Sequence, residues 1–301
     1  MSPFHWTAFC SMTATPVDET CLECGGKKMN ILGAGHAWVH RWFDAISNHR
    51  LIGDYVRGER IPWSKGYSQY RAQSIATALA DAELLVRFGQ SEPLPPGYGI
   101  RIDERCVEYP WIISQLEPGP ACCLDAGSAL NYAHILDHPV FSNKKLHILT
   151  LAPEHRCFWR RSISYLYEDL RQIPIRDSFY DVVVSISTLE HVGFDNSHFT
   201  SNLSHVESRP DDYVVAVREL WRVLKPGGQL LITVPFGIYS DFGAFQQFDL
   251  ASLKKLESSV EPIGVEHTFY RCWNHLQPFA RADREDGCSM PHVGDKKSTR
   301  S

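Results

Sequence analysis

No stretch of this 301-residue sequence is apolar over the roughly 18–20 residues that a membrane-spanning helix needs. No block of lysine and arginine stands out, and the formal net charge is −5, so a sequence-independent grip on DNA or RNA is not expected. The opening residues MSPFHWTAFCSMTATP lack a basic start followed by an apolar run, which argues against a secretory signal. These absences predict a cytoplasmic protein with neither membrane nor nucleic acid as a partner.

Regular cysteine spacing is also lacking. The nine cysteines are an odd number in a chain long enough to bury a core without disulfide bonds, and the hydrophobic fraction of 44% is ordinary for a globular protein. We therefore expect reduced thiols. Cys122 and Cys123 lie in an apolar stretch and are predicted to be packing residues.

A zinc site near the N-terminus is an alternative that the spacing C-x2-C-x11-H-x3-H raises, through Cys21, Cys24, His36 and His40. Lys28 and Gly33 stand where such a finger needs an aromatic residue and a leucine, so no metal is expected. Gly33 and Gly35 also suggest a dinucleotide-binding loop, but Trp38 occupies the place of its third glycine.

The first third of the chain is predicted to be an N-terminal extension that precedes an α/β domain. Residues 1–30 lack periodicity and predict a loose leader, whereas residues 66–90 have an apolar face at helical spacing and predict one long helix. The proline-rich segment SEPLPPGYG ends that pattern. We assign residues 1–115 to a leader and a helical extension that contributes a lid over the acceptor, and residues 276–301 to an irregular tail.

In residues 116–275, strand-like segments alternate with helix-like segments. This alternation predicts a doubly wound α/β domain with a mainly parallel sheet. A helix is predicted in DDYVVAVRELWRVLKPGG, which has acidic residues at its start, a lysine near its end and Pro-Gly-Gly as its stop. The predicted strands are 121–125, 145–151, 164–170, 180–187 and 229–236.

The stretch CCLDAGSALNYAHIL, residues 122–136, has the form of a strand followed by a ligand-binding turn. Ligands of open parallel sheets bind outside the carboxyl ends of the strands, and Gly127 lets the backbone approach a ligand closely. Asp125 either holds an amine or orders the loop. Ala129 and Asn131 stand where further glycines are common, so the stretch alone is equally compatible with an ordinary turn.

Two downstream blocks favour the ligand-binding interpretation: EDLRQIPIRDSFYDVVVSISTLEHVG and VRELWRVLKPGGQLLITVPFG. With the loop before them, they resemble the class I S-adenosylmethionine-dependent methyltransferases over about residues 119–250. The resemblance implies a Rossmann-like, seven-stranded sheet that ends in an antiparallel hairpin, with S-adenosylmethionine as cofactor. More loosely, the sequence resembles methyltransferases of bacterial glycan and secondary-metabolite genes, whose loop is also poor in glycine.

The resemblance also implies cofactor contacts for the positions that match. The amino-acid end of the cofactor would lie on Asp125, Ala126 and Gly127, its adenine on Asp169 and Leu170, and its methionine portion beside Ser187 and Thr188. Ala152 departs from the family, because an acidic residue that binds the ribose usually stands there. Glu154 either reaches the ribose through a different turn or is a solvated loop residue.

The chemistry that the resemblance implies is an in-line methyl transfer, which mainly needs alignment of the acceptor with the methyl group. His191 is the candidate general base, and Glu190 either orients it or lines the cofactor site. A purely structural histidine is the alternative. Asp195, Asn196, Gln246 and Gln247 are candidate acceptor contacts, although each also fits a turn or a packed helix.

We therefore expect methylation of a small molecule or sugar, at an oxygen atom. Nitrogen, carbon and protein acceptors stay open. The rival interpretation is a catalytically inactive Rossmann-type binding module, because Ala129, Asn131 and Ala152 are residues that a decaying cofactor site would show. Binding of S-adenosylmethionine discriminates between the two.

Overall fold

The computed structural model describes residues 5–13, 48–272 and 278–282. The candidate zinc residues and the glycines of the ILGAGHAW segment lie outside these described residues. Within them, no helix is both long enough and apolar enough to cross a membrane.

An eight-stranded sheet in the order β10-β9-β1-β6-β5-β2-β3-β4 organises the chain. The strands from β6 to β4 run parallel, as the alternation of strand and helix patterns predicts. A short antiparallel pair, β7 and β8, follows β6. The strands are β1 His5–Thr13, β2 Ala121–Ala126, β3 Lys144–Thr150, β4 Ser164–Tyr167, β5 Tyr180–Ile186, β6 Leu224–Phe236, β7 Ser240–Asp241, β8 Gln246–Gln247, β9 Gly264–Cys272 and β10 Ala280–Ala282.

Helices cover both faces of this sheet. Leu230 and Ile232 of β6 pack into one core with helices α7 and α8, whereas Leu231 of the same strand packs into a second core with α2, α3 and α4. Such two-sided burial explains why the central strands are apolar throughout. The helices are α1 48–57, α2 Tyr67–Ala80, α3 Ala82–Gly89, α4 Arg105–Gln115, α5 Ala133–Leu136, α6 Ser197–Thr200, α7 Tyr213–Val223 and α8 Leu250–Glu257.

The long helix expected over residues 66–90 is two helices instead. Asp81 separates α2 from α3 in an extended conformation, and its carboxylate accepts a hydrogen bond from the backbone N–H of Leu84 at 3.0 Å. Aspartate is a favoured N-cap residue, so it starts a new helix although the apolar periodicity continues across it.

The antiparallel end of the sheet also differs from expectation. Residues 5–13, predicted as part of a loose leader, form β1 and pair antiparallel with both β6 and β9. The resemblance implied a closing hairpin in this place, but the strand next to β6 comes from the opposite end of the sequence. The predicted sheet is therefore correct in class, and its last strands are rearranged.

Helix α4 brings the extension into the same core as the strands. Val107 and Ile112 are fully buried with Ile186 of β5 and Leu231 of β6. The N-terminal extension thus forms one of the layers that cover the sheet, and α4 lies close to the carboxyl ends of β5 and β6.

Candidate functional site

The loops that follow β2, β3, β4 and β5 meet at the carboxyl edge of the parallel strands, where open α/β sheets bind ligands. Asp125 lies at the end of β2 and is fully buried. Its two carboxylate oxygens accept the backbone N–H groups of Ala129 (3.2 Å) and Leu130 (2.8 Å). Burial raises the pKa of Asp125 to about 7. Of the two roles that the sequence allowed, the structure shows this carboxylate ordering the loop.

Gly127 follows in a left-handed conformation, with φ of +117°. A Cβ atom here would lie 2.0 Å from Oγ1 of Thr188 in the loop after β5. The absent side chain therefore lets two loops pack against each other. The structure shows close approach of Thr188, and the expected approach of a ligand at this glycine stays a prediction.

Asn131, at a position where such loops commonly have a glycine, links three segments at this edge. Its Nδ2 donates to Oε2 of Glu154 at 3.1 Å and to the carbonyl of Arg156, and its Oδ1 accepts the hydroxyl of Tyr165 on β4. Glu154 is exposed and held beside the loop after β2. A carboxylate in this position fits the hydroxyl donors of a ribose.

Asp169 follows β4 and forms a bidentate ion pair with Arg171 (Nε–Oδ1 3.0 Å, Nη2–Oδ2 2.5 Å). Arg171 also contacts Glu207 at 2.7 Å and Asp212 at 2.6 Å. Burial opposes ionisation of Asp169, but the hydrogen bonds from Arg171 outweigh it and lower the pKa. The carboxylate is therefore a charged acceptor at neutral pH, and an amino group that binds it must share it with Arg171. Leu170, next in sequence, is buried.

Ser187, directly after β5, also has a left-handed conformation, with φ of +41°. Its backbone N–H donates to the carbonyl of Thr233, and its hydroxyl donates to Oε1 of Glu108 at 2.5 Å. Glu108 is a fully buried residue of α4 that also accepts from the Thr233 hydroxyl (2.7 Å) and from Nη1 of Arg105 (2.8 Å). The extension thus fixes the loop after β5.

Two further carboxyl groups lie near that contact. Glu190 is buried with 4% of its surface exposed, and its Oε2 has no hydrogen-bond partner among the described residues. Burial, reinforced by Glu108 and Glu104, raises the pKa of Glu190 well above its usual value. Burial and the neighbouring Asp103 and Glu108 raise the pKa of Glu104 to about 7.

His191 completes the turn after β5. Its Nδ1 lies 2.8 Å from the carbonyl oxygen of Ala244, which can only accept, so Nδ1 carries the proton and Nε2 the lone pair. Burial lowers the pKa of the imidazole, so the ring is neutral at pH 7. The rings of Phe199 and Phe245 flank it, with centroids 5.6 and 5.7 Å away.

The other polar candidates mainly hold loops in place. Asn196 donates to the carbonyl of His191 at 2.8 Å, and Asp195 accepts the backbone N–H of Ser197. Gln246 donates to the carbonyl of Pro210, and Gln247 to that of Ile238. These bonds match the turn and packing interpretations of these residues.

Helix α4 contributes the residues that sequence reasoning missed, namely Glu104, Arg105 and Glu108. The signal was present in the segment IDERCVEYPWII, where two glutamates four positions apart interrupt an otherwise apolar helix. Charged residues on a buried helical face are uncommon unless they are paired, so they mark a polar site. Among the described residues, no cluster of His, Cys, Asp and Glu could hold a metal ion.

Comparison with known proteins gives one family match. Residues 148–232, from β3 into β6, match the family model described as a methyltransferase domain. No curated protein sequence matches the chain.

Solved structures to which the chain is similar include the [4+2]-cyclase SpnF (16% identity, 66% of this chain and 72% of that one, TM-score 0.37). Others are the 1,6-didemethyltoxoflavin-N1-methyltransferase of Burkholderia thailandensis with bound S-adenosylhomocysteine (12%, 84% and 92%, 0.37) and a SAM-dependent methyltransferase of Aquifex aeolicus (16%, 43% and 66%, 0.30). These likenesses are distant. The reaction class therefore rests on the family match and on the order of the strands and helices.

Proposed function

We propose that this chain, a class I S-adenosylmethionine-dependent methyltransferase with a Rossmann-like sheet, methylates an oxygen atom of a small molecule or sugar, with His191 as proton acceptor. When bound, S-adenosylmethionine would supply an electrophilic methyl group on a sulfonium, from which a neutral thioether is a good leaving group. The acceptor class is supported by the loose resemblance to glycan and secondary-metabolite methyltransferases. A cytoplasmic location stays a prediction.

The cofactor site that we propose uses the loops at the carboxyl edge of the sheet. Glu154 would bind the ribose hydroxyls, and Asp169 with the backbone N–H of Leu170 would bind adenine. This fits the exposed carboxylate beside the loop after β2 and the ionised carboxylate after β4.

The methionine portion would lie along Ala126, Gly127, Ser187 and Thr188. Asp125 supports this contact indirectly, because both of its oxygens are occupied by amides of the same loop. The packing of Thr188 on Gly127 keeps the loops after β2 and β5 together at this place.

The hydrogen bond between Nδ1 of His191 and the carbonyl of Ala244 is the observation that carries the proposed mechanism. It fixes the tautomer in which Nε2 accepts a proton, and burial keeps the ring neutral, with that lone pair free of a proton, at pH 7. As an acceptor hydroxyl attacks the methyl group, its proton would pass to Nε2. The second task of the chain is to hold the acceptor oxygen and the methyl carbon in line at about 3–3.5 Å.

Calorimetric titration with S-adenosylmethionine and S-adenosylhomocysteine tests the cofactor site. We expect micromolar binding by the wild type and at least tenfold weaker binding by Glu154→Gln and Asp169→Asn, because each loses a charge-assisted hydrogen bond. Absence of binding by folded wild-type protein would overturn the proposal and favour an inactive binding module.

Transfer of a labelled methyl group to a panel of sugars and hydroxylated small molecules tests the reaction. NMR of the product identifies the methylated atom. We expect His191→Gln to lower kcat about 100-fold or more while S-adenosylhomocysteine binds as in the wild type. The control is His49→Gln, at an exposed histidine of α1. Methylation at carbon or nitrogen would refute the oxygen assignment.

A further inference from the structure

We propose that Glu190 and Glu104, beside the Arg105–Glu108 ion pair, form a site for an alkylammonium group next to the reaction centre. This inference rests on the proposed function, since it takes the carboxyl edge of the sheet as the place of methyl transfer. The residues come from two different parts of the chain, the N-terminal end of α4 and the turn after β5.

Glu190 provides the first argument. Its side chain is buried, and Oε2 has no hydrogen-bond partner among the described residues. A buried carboxyl oxygen left without a partner costs stability. The adjacent residue is His191, whose Nε2 we propose as the proton acceptor. A group that satisfies Glu190 would therefore lie close to the reacting atoms.

The charge balance of the cluster provides the second argument. Three carboxyl groups, of Glu104, Glu108 and Glu190, interact with one guanidinium, that of Arg105, while the neighbouring Asp103 pairs with Arg71 at 2.5 Å. Arg105 donates from Nη1 to Glu108 at 2.8 Å, so Glu108 has its own counter-charge. Glu104 and Glu190 remain. Burial is the main cause that raises both pKa values; repulsion by Glu108 and Glu104 adds to it at Glu190, and repulsion by Asp103 and Glu108 adds to it at Glu104. One positive charge placed beside these carboxyl groups would relieve that repulsion.

The nature of the ligand follows from these two features. An anion would be repelled, and the described residues contain no cluster suited to a metal ion. A neutral hydroxyl would satisfy the open oxygen of Glu190 but would supply no counter-charge for the ionised carboxyl groups. An ammonium group does both, because it carries a positive charge and three N–H donors.

Such an ammonium group has two possible sources, the methionine end of the cofactor and an amine on the acceptor. Asp125 is a poor partner for either, because both of its carboxylate oxygens accept backbone amides of its own loop. Glu104 is only partly buried and Arg105 is 23% exposed, so the cluster is open on the side of α4. The experiment has one arm for each source.

The first arm compares S-adenosylhomocysteine with its desamino analogue by calorimetry. For the wild type, a cofactor ammonium in this site predicts about tenfold weaker binding of the analogue, which lacks one charge-assisted hydrogen bond. In Glu190→Gln and Glu104→Gln, the two ligands should bind within about twofold of each other. Glu261→Gln, an exposed glutamate with the same change of charge, should keep the tenfold difference.

The second arm titrates matched amines and alcohols into protein saturated with S-adenosylhomocysteine. The pairs are glucosamine with glucose and 2-aminoethanol with 1,2-ethanediol. An acceptor amine in this site predicts that each amine binds at least tenfold more tightly than its alcohol. The preference should be lost in Glu190→Gln and kept in Glu261→Gln.

Either preference, if Glu190→Gln abolishes it, supports the site and identifies the source of the ammonium group. If neither arm shows a preference that depends on Glu190, the inference is wrong. That result differs from failure of the proposed function, in which the wild type would not bind S-adenosylhomocysteine at all. Thermal unfolding of each variant separates loss of the site from loss of the fold, and the glutamine substitutions keep the shape of the side chain.

Discussion

The hydroxyl of Ser187 donates to Oε1 of Glu108 at 2.5 Å, which joins the loop after β5 to a helix 79 positions earlier in the sequence. Ser187 has a left-handed backbone, which is costly for a residue with a Cβ atom. The bonds to Glu108 and Thr233 hold it there. The N-terminal extension is therefore a structural part of the proposed cofactor site.

We predict from this contact that Glu108→Ala lowers the free energy of unfolding by about 3–5 kcal/mol, because it removes a fully buried carboxylate that pairs with Arg105 and accepts hydrogen bonds from Ser187 and Thr233. It should also weaken S-adenosylhomocysteine binding, since Ser187 loses its anchor. Urea denaturation and calorimetry measure the two effects. Glu117→Ala, at an exposed glutamate just after α4, is the control. An unchanged affinity for S-adenosylhomocysteine in folded Glu108→Ala would show that the Ser187–Glu108 hydrogen bond does not shape the cofactor site.

Gly127 allows a test of loop packing. Gly127→Ala combines a positive φ with a Cβ atom 2.0 Å from Thr188, whereas Gly119→Ala has a similar φ of +108° and no atom within 4 Å. We expect Gly119→Ala to cost about 1–2 kcal/mol of unfolding free energy from backbone strain alone. Gly127→Ala should cost at least about 2 kcal/mol more, because Thr188 must move. Thr188→Ala in the Gly127→Ala background should restore part of the difference, and no restoration would contradict the packing argument.

The buried carboxyl of Glu190 predicts how stability depends on pH. Its pKa in the folded protein is raised by burial above that of the unfolded chain, so the unfolded state releases this proton first as the pH rises. The folded state therefore loses stability between the unfolded pKa near 4.5 and the higher folded pKa. Glu190→Gln should be more stable than the wild type at pH 8, by about 1 kcal/mol or more, and the gap should close towards pH 5. A gap that does not vary with pH would refute this account.

His191 predicts the pH dependence of turnover. Burial lowers its pKa below the usual 6.5, so the neutral base is present from below pH 6.5 upward. Activity should rise with pH through that lowered pKa and level off by about pH 7. In His191→Gln, the residual activity should not show this rise with pH. An identical rise in the variant would assign the titration to another group.

The N-cap hydrogen bond of Asp81 is expected to stabilise helix α3. Asp81→Ala removes the acceptor for the N–H of Leu84 and should cost about 1 kcal/mol of unfolding free energy. Asp81→Ser, which keeps a side-chain oxygen at the N-cap, should retain most of that energy. Equal losses in both variants would show that the cap bond is not the source.

The parallel strands and α7 could be read from the sequence because their apolar periods are local. The break at Asp81 could not be read from periodicity, since α2 and α3 continue the same apolar pattern on either side of the cap. The order of motifs led to Asp169, Glu190 and His191, but the roles of these residues depend on contacts with distant segments. Arg171 on Asp169 and the Ala244 carbonyl on His191 are examples.

The carboxyl cluster could not be predicted from the sequence, because Glu190 lies 82 positions after Glu108 and still further from Glu104. No local pattern links them. The unusual feature was the presence of glutamates in an apolar helix, which marks a polar site without identifying its partner. Similarly, β1 carries a strand-like composition, but its place in the sheet depends on strands more than 200 positions later.

The position of β1 has a consequence for folding kinetics. This strand is synthesised more than 200 residues before its hydrogen-bonding neighbours, β6 and β9. Closing so long a loop is slow, and contact order of this kind retards folding. Until β6 and β9 emerge, β1 is an unpaired strand, and β6 in turn waits with an open edge that can pair with other molecules. We expect the yield of refolding to fall steeply with protein concentration.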